Sequence, residues 1–348
     1  MNKKIIALAV AAAAFGTQAS AVELYNNDGT TFAVGGHVTA AIQGSEENDP
    51  TVEAVSPRIN FNATQDLGHG FTADAKGEWA MNMLEGGDNT FTTRLGYIGV
   101  SHDTFGRAVA GTQWSPYYDV AGVADMPIAF ANDFLYDNHG KLGTGRADKM
   151  VSYRNGVDLG SVGLNFGLGW QGDNSESFNA LDPNADAGNY GDRIQVAVSA
   201  DVAGFSAGYV YNTGDVDFSP LTGVTGGTKD ANSHAFSAKY GSYGNGLYIA
   251  GVYAMNEYMN IAGGEALAET SAYEFLAAYA LSNSLNLSVN YEGVENDADN
   301  LTVRSEMAIQ AEYNFTNSFV GFAGYQIDLG DDYSDDDNKY SVGVRYYL

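Results

Sequence analysis

The sequence predicts an all-β fold in which sixteen antiparallel strands close into a transmembrane barrel. Three observations predict it. Apolar and polar residues alternate over segments of roughly 10 to 13 residues, which a tilted strand needs to cross a bilayer, against about 5 to 6 in soluble proteins. Tight turns alternate with long or acidic connections, the asymmetry of an outer-membrane barrel. The last alternating segment runs to Leu348, so it can pair with the first strand and leave no open edge.

Lys3 and Lys4, the apolar run Ile5 to Phe15 and the small-residue site Ala19-Ser20-Ala21 read as a cleaved export signal over residues 1–21. Residues 22–348 then form a single barrel domain. No later run of about 18 apolar residues could serve as a spanning helix. Without cysteines there are no disulfides and no thiolate metal sites. A net charge of −27 argues against a nucleic-acid partner and favours cations near the surface. With 43 Gly, 23 Tyr and only 6 Pro, the composition suits many strands, tight turns and interface-seeking tyrosines.

In chain order, Val22 to Gly29 ends in a turn signal. From Phe32, an apolar face (Phe32, Val34, Val38, Ala40, Ile42) opposes a polar or small one (Gly35, His37, Thr39, Gln43). Gly44 to Pro50 reads as a loop. Arg58, Asn60, Asn62 and Thr64 alternate with Ile59, Phe61 and Ala63. Asp66 to Gly70 is a tight turn, and Asp74, Lys76 and Glu78 then alternate with Ala73, Ala75 and Trp79. Phe91 to His102, Gly106 to Gln113 and Leu247 to Met255 are the weakest of the sixteen segments. Long alternating runs recur at Val162–Gln171, Leu285–Glu292 and Met307–Asn314. The even strand count puts both ends of the barrel chain on the short-turn side. Tyrosines near strand ends (Tyr153, Tyr209, Tyr211, Tyr240, Tyr243, Tyr279, Tyr313, Tyr346) suit girdles at the two lipid interfaces.

Alternation stops between Trp114 and Gly145. A connection of about 30 residues exceeds the usual loop of roughly 4 to 6, and its aromatic content argues against disorder. It reads as a packed constriction inside the barrel, with Trp114, Tyr117, Tyr118 and Phe130 as its aromatics. Inward parity gathers His37, Arg58, Arg94 and Arg146 on neighbouring early strands.

These residues resemble those of the general diffusion porins of Gram-negative outer membranes over nearly the whole chain. The similarity is carried by Val22-Glu23-Leu24-Tyr25-Asn26-Asn27-Asp28-Gly29, by Phe105-Gly106 with Tyr118-Asp119 and Asp125-Met126-Pro127, and by Gly145-Arg146 with Ser152-Tyr153-Arg154-Asn155. The resemblance implies a trimeric barrel with its third external loop folded inward, passive diffusion of small hydrophilic solutes and ions, and no cofactor. It implies a setting of outer-membrane lipid and lipopolysaccharide, and assembly machinery reading the C-terminal strand. Arg58, Arg94 and Arg146 match the family's basic wall, His37 falls where a lysine is frequent, and Asp125 matches an acidic position on the facing loop. Opposed charges across such a pore orient polar solutes and set ion selectivity.

Four departures follow. Ile128 or Ala129 replaces a glutamate after the loop proline, so the acidic side rests on Asp119, Asp125 or Asp133. His37, with an unperturbed pKa of about 6.5, is mostly neutral at pH 7 and would make conductance respond to acid. The second external connection, Leu84 to Thr90, is short for a latch on a neighbouring subunit. Leu348 stands in place of a terminal phenylalanine.

The expected function is a weakly cation-preferring passive channel. A substrate-selective channel for sugars or an anion, using the loop aromatics as a slide, is the alternative. So is a surface adhesin with acidic loops. Asp331 to Asp337 lacks the glycine and terminal glutamate of a twelve-residue calcium loop. No nucleophile elbow or phosphate-binding glycine loop suggests an enzyme.

Overall fold

The computed structural model describes residues 21–81, 83–84, 91–135, 140–174, 189–218 and 227–348. The expected signal falls almost wholly outside these, as do most of Leu84 to Thr90 and Tyr136 of the long connection.

Among the described residues sixteen staves form one closed antiparallel sheet. They are β1 Thr30–Ser45, β2 Arg58–Gly68, β3 Phe71–Ala80, β4 Thr92–His102, β5 Gly106–Trp114, β6 Arg146–Asp158, β7 Val162–Gln171 and β8 Asn189–Val202. The rest are β9 Phe205–Asp217, β10 Thr228–Ser242, β11 Asn245–Glu257, β12 Glu269–Ala280, β13 Leu285–Asn296, β14 Leu301–Asn314, β15 Phe319–Asp328 and β16 Lys339–Tyr347. The three weakest segments of the sequence are all strands.

Closure follows from the chain ends. His37–Ser45 of β1 pairs with Tyr347–Lys339 of β16. Below that contact Val22–Asn27 folds back on Thr30–Val34, and the Leu348 N–H donates to the Gly36 carbonyl. The hairpin turns at Asp28 and Gly29, both with positive φ, as a two-residue connection between twisted strands requires. Gly36 has φ +133°, and a Cβ there would overlap the Arg58 carbonyl, so β2 can approach only a glycine.

Strand alternation gives the wall its two solvents. Ile98, Ile194, Leu168, Phe275, Ile309 and Val342 are exposed on the outside, where lipid lies. Asn60, Gln171, Gln195, Asn212, Asn290 and Gln310 are buried on the inside. Tyr240, Tyr279, Tyr313 and Tyr346 stand outward near the short-turn rim, as a girdle requires. Tyr243 differs: it turns inward from its tight turn and meets the Tyr248 ring edge-on at 6.0 Å, because an apolar cluster inside the barrel takes its ring.

That cluster is the long connection itself. The strands stop at Trp114 and resume at Arg146, matching the break in alternation. A short helix, α1 (Pro116–Ala121), starts at once; Ser115 caps it through the Tyr118 N–H and Pro116 occupies its first turn. Tyr117, Val120, Ala121, Val123 and Ala124 pack on Ala197, Val210, Ala235 and Val252 of the inner wall. Wall glycines leave the imprint: a Cβ at Gly167 would lie 3.1 Å from Pro116, at Gly208 3.0 Å from Val120, and at Gly324 2.9 Å from Phe130. Polar wall side chains satisfy the loop backbone. Gln195 Nε2 donates to Gly143 O (2.6 Å), Asn212 Nδ2 to Leu142 O (2.7 Å), and Gln310 Nε2 to Phe130 O (2.6 Å).

Filling one imprint should release the loop and spare the barrel. Gly167→Leu forces α1 off the wall at a cost of about 1–3 kcal/mol. The variant is expected to keep its heat-modifiable electrophoretic mobility while limited proteolysis begins to cleave within residues 115–145. Unchanged resistance would contradict the packing.

Candidate functional site

Inward parity on β2, β3 and β4 places cations side by side around one carboxylate. Glu78, 4% exposed, accepts from Arg94 Nε at 3.0 Å, with Lys76 Nζ at 3.6 Å and Arg58 Nη1 at 3.7 Å. Arg58 also donates through Nη2 to Ser56 Oγ (2.8 Å). Three cations share one anion, so the patch remains positive. Arg146, at the foot of the returning strand, extends it and lies 5.4 Å from the centre of the Trp114 ring. Arg345 on β16 closes the row, its Nε donating to Thr39 Oγ1 (3.1 Å).

His37 was expected on this rim. It is instead 1% exposed, its Nδ1 within 3.2 Å of Thr39 Oγ1 and its ring edge-on to Tyr347. The β1–β16 seam buries the imidazole, so Arg345 stands where the sequence placed the histidine's charge. The expected acid response of His37 has no exposed ring to act through.

The three acidic candidates separate. Asp125 lies within electrostatic reach of Arg58, Arg146 and Arg94 and accepts from Tyr118 Oη at 2.7 Å. Burial pushes its carboxyl above the usual carboxylate range, while the Tyr118 hydrogen bond and the three arginines pull the other way. The Tyr118 hydroxyl is held far above its ordinary range by burial and by Asp125, so it stays protonated and donates. Asp119 is taken by Arg154, Nε to Oδ2 2.5 Å. Asp133 is exposed at the far end of the loop, its N–H donating to Glu292 Oε2 (3.2 Å) and its carboxylate within electrostatic reach of Arg304.

The aromatics separate too. Tyr117 is fully buried, its N–H donating to Gln195 Oε1 and its hydroxyl 2.9 Å from Ser233 Oγ. It is a wall anchor and presents no surface to the lumen. Trp114 stacks on Tyr118 with ring centres 4.0 Å apart. Phe130 fills the notch at Gly324, its backbone held by Gln310 and Asn290.

Sequence reasoning passed over Lys76, Glu78, Arg345, Arg154 and a second charged group. In that group Arg304 bridges Glu292 (2.7 Å) and Glu306 (2.5 Å) and lies 5.0 Å from the Phe134 ring centre. Parity alone could have found Lys76 and Glu78, which share the inward face of β3 with Asp74. The acidic loop Asp331 to Asp337 uses Asp331 on its own backbone, accepting from the Tyr333 and Ser334 N–H groups.

Residues 27–348 match the family of Gram-negative porins. Outer membrane protein S2 of Salmonella typhi is 28% identical over 367 residues, covering 95% of this chain and 94% of the relative. Outer membrane porin N of Escherichia coli (strain K12) is 26% identical over 368 residues, covering 98% and 96%. Among solved structures, the Salmonella typhi OmpF complex with daunomycin superposes with a TM-score of 0.77 at 21% identity, covering 94% of this chain and all of that one. An anion-selective porin from Comamonas acidovorans gives 0.68 at 15% identity, covering 92% of this chain and all of that one. With a closed sixteen-stranded wall and a family match across almost its whole length, the chain belongs to the Gram-negative porins, barrels of the outer membrane whose members are channels.

Proposed function

We propose that this porin is a trimeric, water-filled, weakly cation-preferring channel for small hydrophilic solutes and ions. Its constriction lies between a basic wall (Arg58, Arg94, Arg146, with Arg345) and Asp125 on the inward loop. The observation that carries this is the separation of charge. The cations on β2–β6 outnumber Glu78, whereas Asp125, from the loop docked on the opposite wall, sits within their field. A solute passing between them crosses a transverse field, and the sign and placement of such charges govern ion preference. The net charge of −27 enriches cations at the mouth, and the basic rim opposes that enrichment, which keeps the preference weak.

The substrate-selective reading needs free aromatic faces along the path. Tyr117 is buried, Trp114 is stacked on Tyr118, and Phe130 is set into the notch at Gly324, which favours the non-specific channel. The apolar outer face suits lipid and lipopolysaccharide. The terminal strand β16 (Lys339–Tyr347), followed by Leu348, is the segment offered to the assembly machinery.

Purified protein in a planar bilayer is expected to give conductance in steps of three; a silent bilayer would remove the proposal. A unit charge about 7 Å from a permeant ion in water is worth about 0.6 kcal/mol, with opposite sign for cation and anion. Salt screening roughly halves the difference, so Arg94→Ala should raise the cation-to-anion permeability ratio about threefold, read as reversal potential in a salt gradient.

Acid should act through Asp125. Its carboxyl takes up a proton at a higher pH than an ordinary carboxylate, so on acidification cation preference should fall earlier than an ordinary carboxylate would make it. Asp125→Asn should flatten that step while leaving the contribution of the external loops; an identical titration in both proteins would contradict the assignment.

A further inference from the structure

Arg154 is, among the described residues, the inner-wall cation with the most side-chain hydrogen bonds, yet no role in the proposed constriction uses it. It lies on β6, on the same face as Ser152 and Met150, two and four residues before it. All three guanidinium nitrogens donate. Nε donates to Asp119 Oδ2 (2.5 Å), and Nη2 to Asp119 Oδ1 (3.4 Å) and to the Trp114 carbonyl (2.7 Å). Nη1 donates to Ser152 Oγ (2.7 Å) and Gln113 Oε1 (3.4 Å). Ser152 Oγ donates in turn to Gln113 Oε1 at 2.6 Å, so the platform beneath the guanidinium is itself fixed.

The partners lie at one corner of the chain. Trp114 ends β5 and Asp119 is in the first turn of α1, so Arg154 grips both sides of the strand-to-helix bend across Ser115. The far side of α1 is held elsewhere, by Tyr117 in the wall and Val120 in the Gly208 notch. Arg154 therefore does not hold the helix inside the barrel; it sets how the lumen-facing side is turned. On that side Tyr118 stacks on Trp114 and donates to Asp125.

We propose that Arg154 is the positioning residue for the acidic side of the constriction, acting on Asp125 through the Trp114–Tyr118 stack. This rests on the constriction reading above. The planar fork is essential, because its three nitrogens reach the Trp114 carbonyl, both Asp119 oxygens, Ser152 Oγ and Gln113 Oε1 at once, more acceptors than the three N–H groups of an ammonium can serve. Arg154 also engages both oxygens of Asp119, which leaves Asp125, of the two, as the carboxylate that meets Arg58, Arg94 and Arg146.

A double-mutant cycle tests it, with Asp125→Asn made in the unaltered chain and in Arg154→Ala and Arg154→Lys backgrounds. Each protein is first checked for folded, heat-modifiable mobility, and reversal potentials are then read in a salt gradient. Asp125→Asn is expected to shift the permeability ratio about threefold in the unaltered chain. In both Arg154 backgrounds the shift should shrink to less than half of that, because the carboxylate there no longer faces the rim in one orientation. The full shift persisting in either background overturns the proposal, and the Lys variant decides the matter if the Ala variant fails to fold. A silent Asp125→Asn in the unaltered chain is a different result: it removes the constriction reading, and this proposal falls with it.

Discussion

Every backbone N–H and C=O in this protein must find a partner without help from water on the lipid side, and the closed sheet is the answer to that constraint. A strand edge left open in hydrocarbon would expose a row of unpaired groups, each costing several kcal/mol. Pairing β1 with β16 removes that edge, and the hairpin of Val22–Asn27 on Thr30–Val34 continues the seam beyond the last residue. Once the wall is closed, side chains can do only two things: point at lipid or point at the lumen.

The same requirement returns inside. A loop of about 30 residues folded into a barrel carries its own backbone groups away from bulk water, and among the described residues its regular structure is α1 and the short 3₁₀ turn after it. The wall takes many of the other described groups through amides and carboxylates at loop height. Gln171, Gln195 and Asn212 take the returning arm, Asn290 and Gln310 take Phe130, and Glu292 and Glu312 take the N–H groups of Asp133 and Ile128. The apolar cluster around Tyr117 adds burial on the opposite side of α1. A constriction held this way is a second, smaller core, built from a face that elsewhere is wet.

Charge follows from that placement. The loop docks on β7–β15 and is gripped by Arg154 of β6, whereas Arg58, Lys76 and Arg94 lie on β2–β4. Repulsion among these cations would be costly if they had no anion; Glu78 supplies one and leaves an excess. Asp119 is neutralised by Arg154, Asp125 lies in the field of the early arginines and Asp133 in that of Arg304, so these three acids end in three different surroundings.

The sequence by itself determined what is periodic or local. Alternation named the sixteen staves, their lipid and lumen faces and the break at Trp114, because a side-chain period of two needs no knowledge of neighbours. Ser115-Pro116 carried a helix start that alternation could not reveal. Only the tertiary structure decided which inward residues meet. His37 had the right parity but lies in the β1–β16 seam, Tyr243 sat at a strand end but turned inward, and Tyr117 proved to be an anchor. Parity tells which side of the wall a residue faces. Its height, and what stands opposite, depend on stagger between strands and on where a loop docks, and both are set by contacts between residues far apart in the chain.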